Sequence, residues 1–169
     1  MKNLLLTLSF LSLFCITNLN SQNLEHAVII VFNYENGIYR GVFENEVVSS
    51  EGDWYIDRPR YERRFLNEFN EIIGKSRTPK MGIVCTPEYL TKLGDVAAVP
   101  IVKIEILTVD DKGNLTANVI IENTKDSEKF LSPKLFKCSG GVFGTWLNLF
   151  GDGMEALGSA VGNYMRKAL

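Results

Sequence analysis

The chain reads as an α+β protein: a mixed or antiparallel sheet containing an antiparallel meander, covered by a mid-chain helix and a long, glycine-striped C-terminal helix. Three observations predict this. Residues 96–109, 115–123 and 130–138 are rich in β-branched and apolar residues and are joined by short polar segments. Residues 59–73 place Tyr61, Phe65, Leu66, Phe69, Ile72 and Ile73 on one arc, at helical spacing. From Ser139 onward, Leu147, Phe150, Met154, Leu157, Val161, Tyr164 and Ala168 recur at alternating steps of three and four, so one side of a long helix is apolar.

The first 21 residues stand apart. Lys2 is followed by the 13-residue apolar run 4–16 and then by polar residues 18–22. That run is short for a bilayer span and fits a secretory signal cleaved after Ser21, leaving 22–169 as a single domain. Cys15 follows Phe14, where lipoprotein processing wants a small side chain, so attachment there fits less well. An uncleaved anchor is the remaining alternative. Of the 18 lysines and arginines only Lys2 lies in the leader, so 17 face 20 acidic residues in the rest, a net charge of −3. That balance argues against a general nucleic-acid binder.

Residues 24–34 (LEHAVIIVFNY) read as a buried strand. Asn36-Gly37 is the favoured pair for a tight hairpin, so 38–48 reads as the returning strand. Trp54, Tyr55 and Ile56 form an apolar plug ahead of the 59–73 helix, whose Pro59 suits a first turn and whose Gly74 suits a stop. Residues 81–85 read as a short strand and 87–93 as a short helix, with Thr86 and Pro87 at its start. DDKGN (110–114) turns 96–109 back into 115–123. Pro133 cannot donate to a ladder, which marks 130–138 as an edge or bulged strand. The apolar phase of the last helix continues through Gly151-Asp152-Gly153, predicting one continuous or gently kinked element.

Gly144, Gly151, Gly158 and Gly162 form a second stripe beside the apolar one. Each interior glycine costs a helix about 0.5–1 kcal/mol relative to alanine. Several on one line make sense if a backbone must lie close, and a sheet is the simplest candidate. Cys85 and Cys138 remain after cleavage and read either as one disulfide or as two buried small hydrophobes that never meet.

Little here points to catalysis. His26 is the single histidine, so a triad or histidine metal site has almost no material. No catalytic residue, metal or cofactor is expected. Ser139–Thr145 (SGGVFGT) resembles a phosphate-cradling loop in glycine content but lacks the Lys-Ser/Thr pair and carries bulky Val142 and Phe143. Seven of the 17 basic residues fall within 58–80. Arg60, Arg63, Arg64 and Arg77 are therefore candidates for a surface that meets an anionic envelope component, against the plainer reading of a solvated helix face.

KMGIVCTPEYLTKLG, then VPIVKIEIL, DDKGN and LTANVIIEN, then a glycine-containing terminal helix, resemble in element order the small periplasmic α/β domains of the Tol-Pal propeller protein, the curli secretion channel and the outer-membrane activators of penicillin-binding proteins. The resemblance covers residues 61–169. It implies a non-catalytic adaptor or assembly role in the periplasm, with another envelope protein or an anionic envelope surface as partner. Two alternatives stand beside it: a small-ligand or anion binder or enzyme using the 139–145 turn, and membrane-interface binding through the C-terminal helix.

Overall fold

The computed structural model describes residues 26–50, 54–93, 99–123 and 129–167. The expected leader 1–21 lies outside them. In chain order the elements are β1 (Ala27–Asn33), β2 (Ile38–Tyr39), β3 (Val42–Phe43), α1 (Glu44–Ser50), α2 (Trp54–Ile73), β4 (Met81–Val84), α3 (Pro87–Leu93), β5 (Pro100–Val109), β6 (Leu115–Asn123), β7 (Lys129–Cys138) and α4 (Trp146–Arg166). The fold is α+β, with a mixed seven-stranded sheet.

β1 is apolar along nearly its whole length, and residues 27–32 are all buried. A strand with no polar face must be covered on both sides and paired on both edges. It pairs in parallel with β4 on one edge (Ile29 opposite Ile83) and with β5 on the other (Val31 opposite Lys103). β6 and β7 then extend the sheet antiparallel from β5. Because both edges of β1 are taken, the hairpin expected at Asn36-Gly37 does not form. The turn is there, with Gly37 N donating to the Tyr34 carbonyl at 3.0 Å. The chain then runs only two residues as β2, parallel to the end of β5 at Thr108 and Val109, and β3 folds back on β2. Residues 44–48, expected as strand, belong instead to helix α1.

The two crossovers explain the layering. β1 to β4 passes through α2 in one direction along the sheet, and β4 to β5 passes through α3 in the other. Right-handed connections running in opposite directions place their helices on opposite faces. Accordingly Val28, Ile30 and Phe32 pack with α2 and α4, while Ala27, Ile29 and Val31 pack with Leu90 of α3. α2 begins at Trp54, five residues before the expected start, and holds Pro59 inside it. Burial of Trp54 among Tyr39, Tyr61, Trp146 and Phe150 is what draws that first turn into the helix.

α4 is one helix through Gly151–Gly153, and Phe150, Met154, Leu157 and Val161 are buried. Its glycine stripe meets a helix, not the sheet. A Cβ on Gly158 would collide with the Phe65 carbonyl of α2, one on Gly162 would meet Ile72, and one on Gly151 would meet Arg64. Gly144 is not in the helix; it is an exposed turn residue at φ +126°. The matched series 151 with 64, 158 with 65 and 162 with 72 shows that α2 and α4 run parallel. No helix of the described residues is long and apolar enough to cross a membrane.

Cys85 and Cys138 are free thiols. Cys85 follows β4 and Cys138 ends β7, the two outer strands, so the pair is separated by four strand spacings of about 4.8 Å each. That is far outside the 4.4–6.8 Å Cα separation a disulfide needs, and the bridged alternative is excluded within one chain.

Gly158→Ala should destabilise the protein by about 1–3 kcal/mol in urea unfolding, although the same change in a free helix is favourable. A gain in stability would mean that α2 and α4 do not touch there.

Candidate functional site

Three surface features are built well enough to act: a groove on the open face of the sheet, a projecting loop before α4, and a cleft at the C-terminal ends of α2 and α4. The groove has a volume of about 840 Å³. Its floor is the side of β5 and β6 that α3 leaves bare, where Lys103, Glu105, Asn118 and Ile120 point. Asn33 and Glu35 at the end of β1 and Pro87, Glu88 and Leu90 of α3 form its walls. The site thus lies beside the carboxyl ends of parallel strands, where the β1–β4 and β4–β5 crossovers run across the sheet in opposite directions. Open α/β sheets bind ligands at that point.

At one end the groove meets a polar knot. Arg58 bonds Glu44 at 3.4 Å and lies 4.4 Å from the centre of the Tyr34 ring. Glu44 also accepts from the Trp54 indole at 3.0 Å. The Tyr34 hydroxyl donates to Glu62 at 3.3 Å. Burial raises the Glu62 carboxyl above its ordinary range, against the opposing pull of Arg58 and of the Tyr34 hydrogen bond. Burial, helped by Glu62, likewise keeps the Tyr34 phenol protonated. Lys103 is held by Glu122 at 2.6 Å. The groove therefore offers hydrogen-bonding groups and carboxylates.

The loop 139–145 is fixed at both ends. Gly140 N donates to Asn114 Oδ1 at 2.9 Å, and Gly141 N donates to the Leu149 carbonyl at 3.2 Å. Trp146 Nε1 donates to the Asp110 carbonyl at 2.9 Å. Gly113, Gly140 and Gly153 let the β5–β6 turn, the loop and α4 approach so closely that a Cβ on any of them would strike backbone. These amides are spent inside the protein, and the Asp152 carboxylate stands against Gly141. The Gly140 and Gly141 amides are thus occupied and the nearest charge is negative, which weighs against the anion-binding alternative at this turn. What the loop presents instead is apolar, with Val142 83% and Phe143 89% exposed.

The four candidate arginines do not form one surface. Arg60 bonds Asp57 at 2.9 Å on the exposed side of α2, and Arg63 is exposed. Arg64 turns the other way: it reaches Glu155 at 2.7 Å and also Asp152, clamping α2 to α4. A helical wheel puts it among solvated residues because the wheel does not show the second helix. Arg77 lies beyond the end of α2, where it lines a cleft of about 350 Å³ with Lys75, Ser76, Arg166 and Lys167. His26 is exposed at the foot of β1. Burial pushes the Cys85 and Cys138 thiols up to about 11, so both are protonated at neutral pH and neither is an activated nucleophile. Phe150, Met154, Leu157, Val161 and Met165 of the apolar face of α4 are buried in the core, which weighs against a membrane interface there. Asp110 spends its oxygens on Lys112 N, Asn114 N and the Asn114 amide, as turn chemistry requires.

No family model and no curated protein matches the chain. Two solved structures align with most of it. A DUF330-family protein from Xanthomonas campestris is 6% identical, with a TM-score of 0.46 and 84% of each chain covered. PelC from Paraburkholderia phytofirmans, solved as a dodecamer, is 8% identical, with a TM-score of 0.43 and coverage of 85% of this chain and 86% of that one.

Glu62 fixes a pH dependence. Its folded form holds a proton that the unfolded chain has released, so its contribution to stability is complete below the ordinary glutamate pKa of about 4.3 and is lost as pH rises through the raised folded value. Glu62→Gln, which still accepts from Tyr34, should therefore melt higher than wild type at pH 7.5 and converge with it near pH 4. Thermal unfolding across that range checks it, and parallel curves would contradict the assignment.

Proposed function

We propose that this chain is an exported, non-catalytic interaction domain of the cell envelope that works in the periplasm and docks another envelope protein through the Val142–Phe143 tip. The observation that carries this reading is a loop anchored at both ends that holds two apolar side chains out in solvent. A disordered loop exposes apolar groups at little cost, whereas an anchored one presents them in a fixed geometry. Burying a valine and a phenylalanine on docking is worth about 1.5–3 kcal/mol each, the scale of a small hot spot. Three residues on, Trp146 carries Arg40 at 5.7 Å from its ring centre, and Arg40 bonds the exposed Asp111 at 2.9 Å. An apolar centre with charged neighbours is the usual anatomy of an interface. The leader expected at 1–21 from its apolar run supports export, and the protonated cysteines and single exposed histidine support a role without covalent chemistry.

A second reading, small-ligand binding in the 840 Å³ groove, is favoured by its position beside the carboxyl ends of the parallel strands. The two readings separate experimentally. Val142→Ser with Phe143→Ser should leave the melting temperature unchanged, both side chains being exposed, and cut co-purification of envelope proteins by at least about tenfold, or about 1.4 kcal/mol. Undiminished capture would remove the tip as the docking element. A small molecule seen by native mass spectrometry, and lost on Asn118→Leu, would favour the groove.

A further inference from the structure

A separate cleft lies at the far end of the molecule. Lys75, Ser76 and Arg77 come from the segment after α2, and Arg166 and Lys167 come from the end of α4. The two helices are parallel neighbours, so both C-termini emerge at this end. Each terminus carries roughly −0.5 of an elementary charge, and the pair together roughly −1. Cations are expected there on that ground alone, and the question is how many.

Lys75 is cancelled by Glu71 at 2.8 Å. Among the described residues Arg77, Arg166 and Lys167 have no ion-pair partner, and all three are exposed. Three uncompensated cations against about −1 leave a surplus of about +2, which stays positive even against one further carboxylate. The Ser76 hydroxyl is committed to the Thr78 carbonyl at 2.7 Å. The cleft thus lacks the directed amide and hydroxyl donors of a closed phosphate cradle. It offers long, flexible cationic side chains on an open surface.

We propose that this end of the protein docks on an anionic lipid surface, with Arg77, Arg166 and Lys167 meeting headgroup phosphates. Charge complementarity selects the occupant: a bilayer presents many phosphates at lateral spacings that mobile side chains can follow, with no need of a preformed cage. Each cation brought to such a surface strengthens partitioning about fivefold. The tip at residues 142–143 lies at the other end of α4, about 31 Å away along its 21 residues, so docking here leaves that tip pointing away from the membrane. This inference stands independently of what the tip binds.

The test uses protein purified from cells that export it, sedimented with vesicles of phosphatidylcholine alone or mixed with phosphatidylglycerol. Binding is expected only to the mixed vesicles. It should fall steeply between about 0.1 M and about 1 M salt, as the screening length shrinks from about 10 Å to about 3 Å. Arg77→Gln, Arg166→Gln and Lys167→Gln together should lower it about 100-fold. Equal binding to neutral vesicles, salt-independent binding, or a folded triple variant that binds as wild type would each overturn the proposal. So would uptake of inorganic phosphate by a protein that ignores the vesicles. Should the triple variant fail to fold, the salt and lipid dependences of the wild type still decide.

Discussion

Gly158 has no side chain, and the carbonyl of Phe65 lies where one would be. That close approach of α4 to α2 governs most of the architecture. It lets two 20-residue-class helices lie side by side on one face of the sheet, both sending large apolar groups into the core beneath, with the glycines of α4 turned toward α2. Arg64 then binds the pair from above through Asp152 and Glu155, and its place over Gly151 is open only because that residue is glycine. The conformational cost of several glycines in one helix is offset by contact that no larger residue would allow.

Parallel alignment gives the molecule two unlike ends. At the amino-terminal end of the helices, Trp54 sits among Tyr34, Tyr39, Tyr61, Trp146 and Phe150, tying the β2–β3 excursion and both helices into one aromatic cluster. That rigid base supports the β5–β6 turn and the 139–145 loop. Among the described residues the opposite end has no comparable cluster, and it is finished by cations around two helix C-termini. Apolar display and positive charge are thus segregated by the direction of the same two helices.

Much of this was legible in the sequence. β6 was placed to the residue, and β7 was marked as an edge or bulged strand by Pro133. The unbroken apolar phase of α4 outweighed a Gly-Asp-Gly that looked like a break. The errors share a cause: local patterns describe a surface but not what lies against it. The glycine stripe announced a close contact, and its partner was a helix instead of the sheet. Arg64 looked solvated for the same reason. Asn36-Gly37 made its turn, but β1 was already paired on both edges by strands arriving some 45 and 65 residues later in the chain, so no hairpin could follow. Val142 and Phe143 counted against a phosphate loop when they were in fact what the loop displays. The groove could not be read at all, because its lining comes from β1, α1, α2, α3, β5 and β6.

The most extensive helix contact among the described residues joins segments that are distant in sequence, with four of the seven strands, β4 to β7, between them. Strands β1, β5 and β6 can pair as they appear, but their inner face stays half bare until residue 166 has been made. Pairings of such long range form slowly and late. A nascent chain of this design therefore cannot close its core before α4 has been made. It becomes a finished body only when that helix arrives.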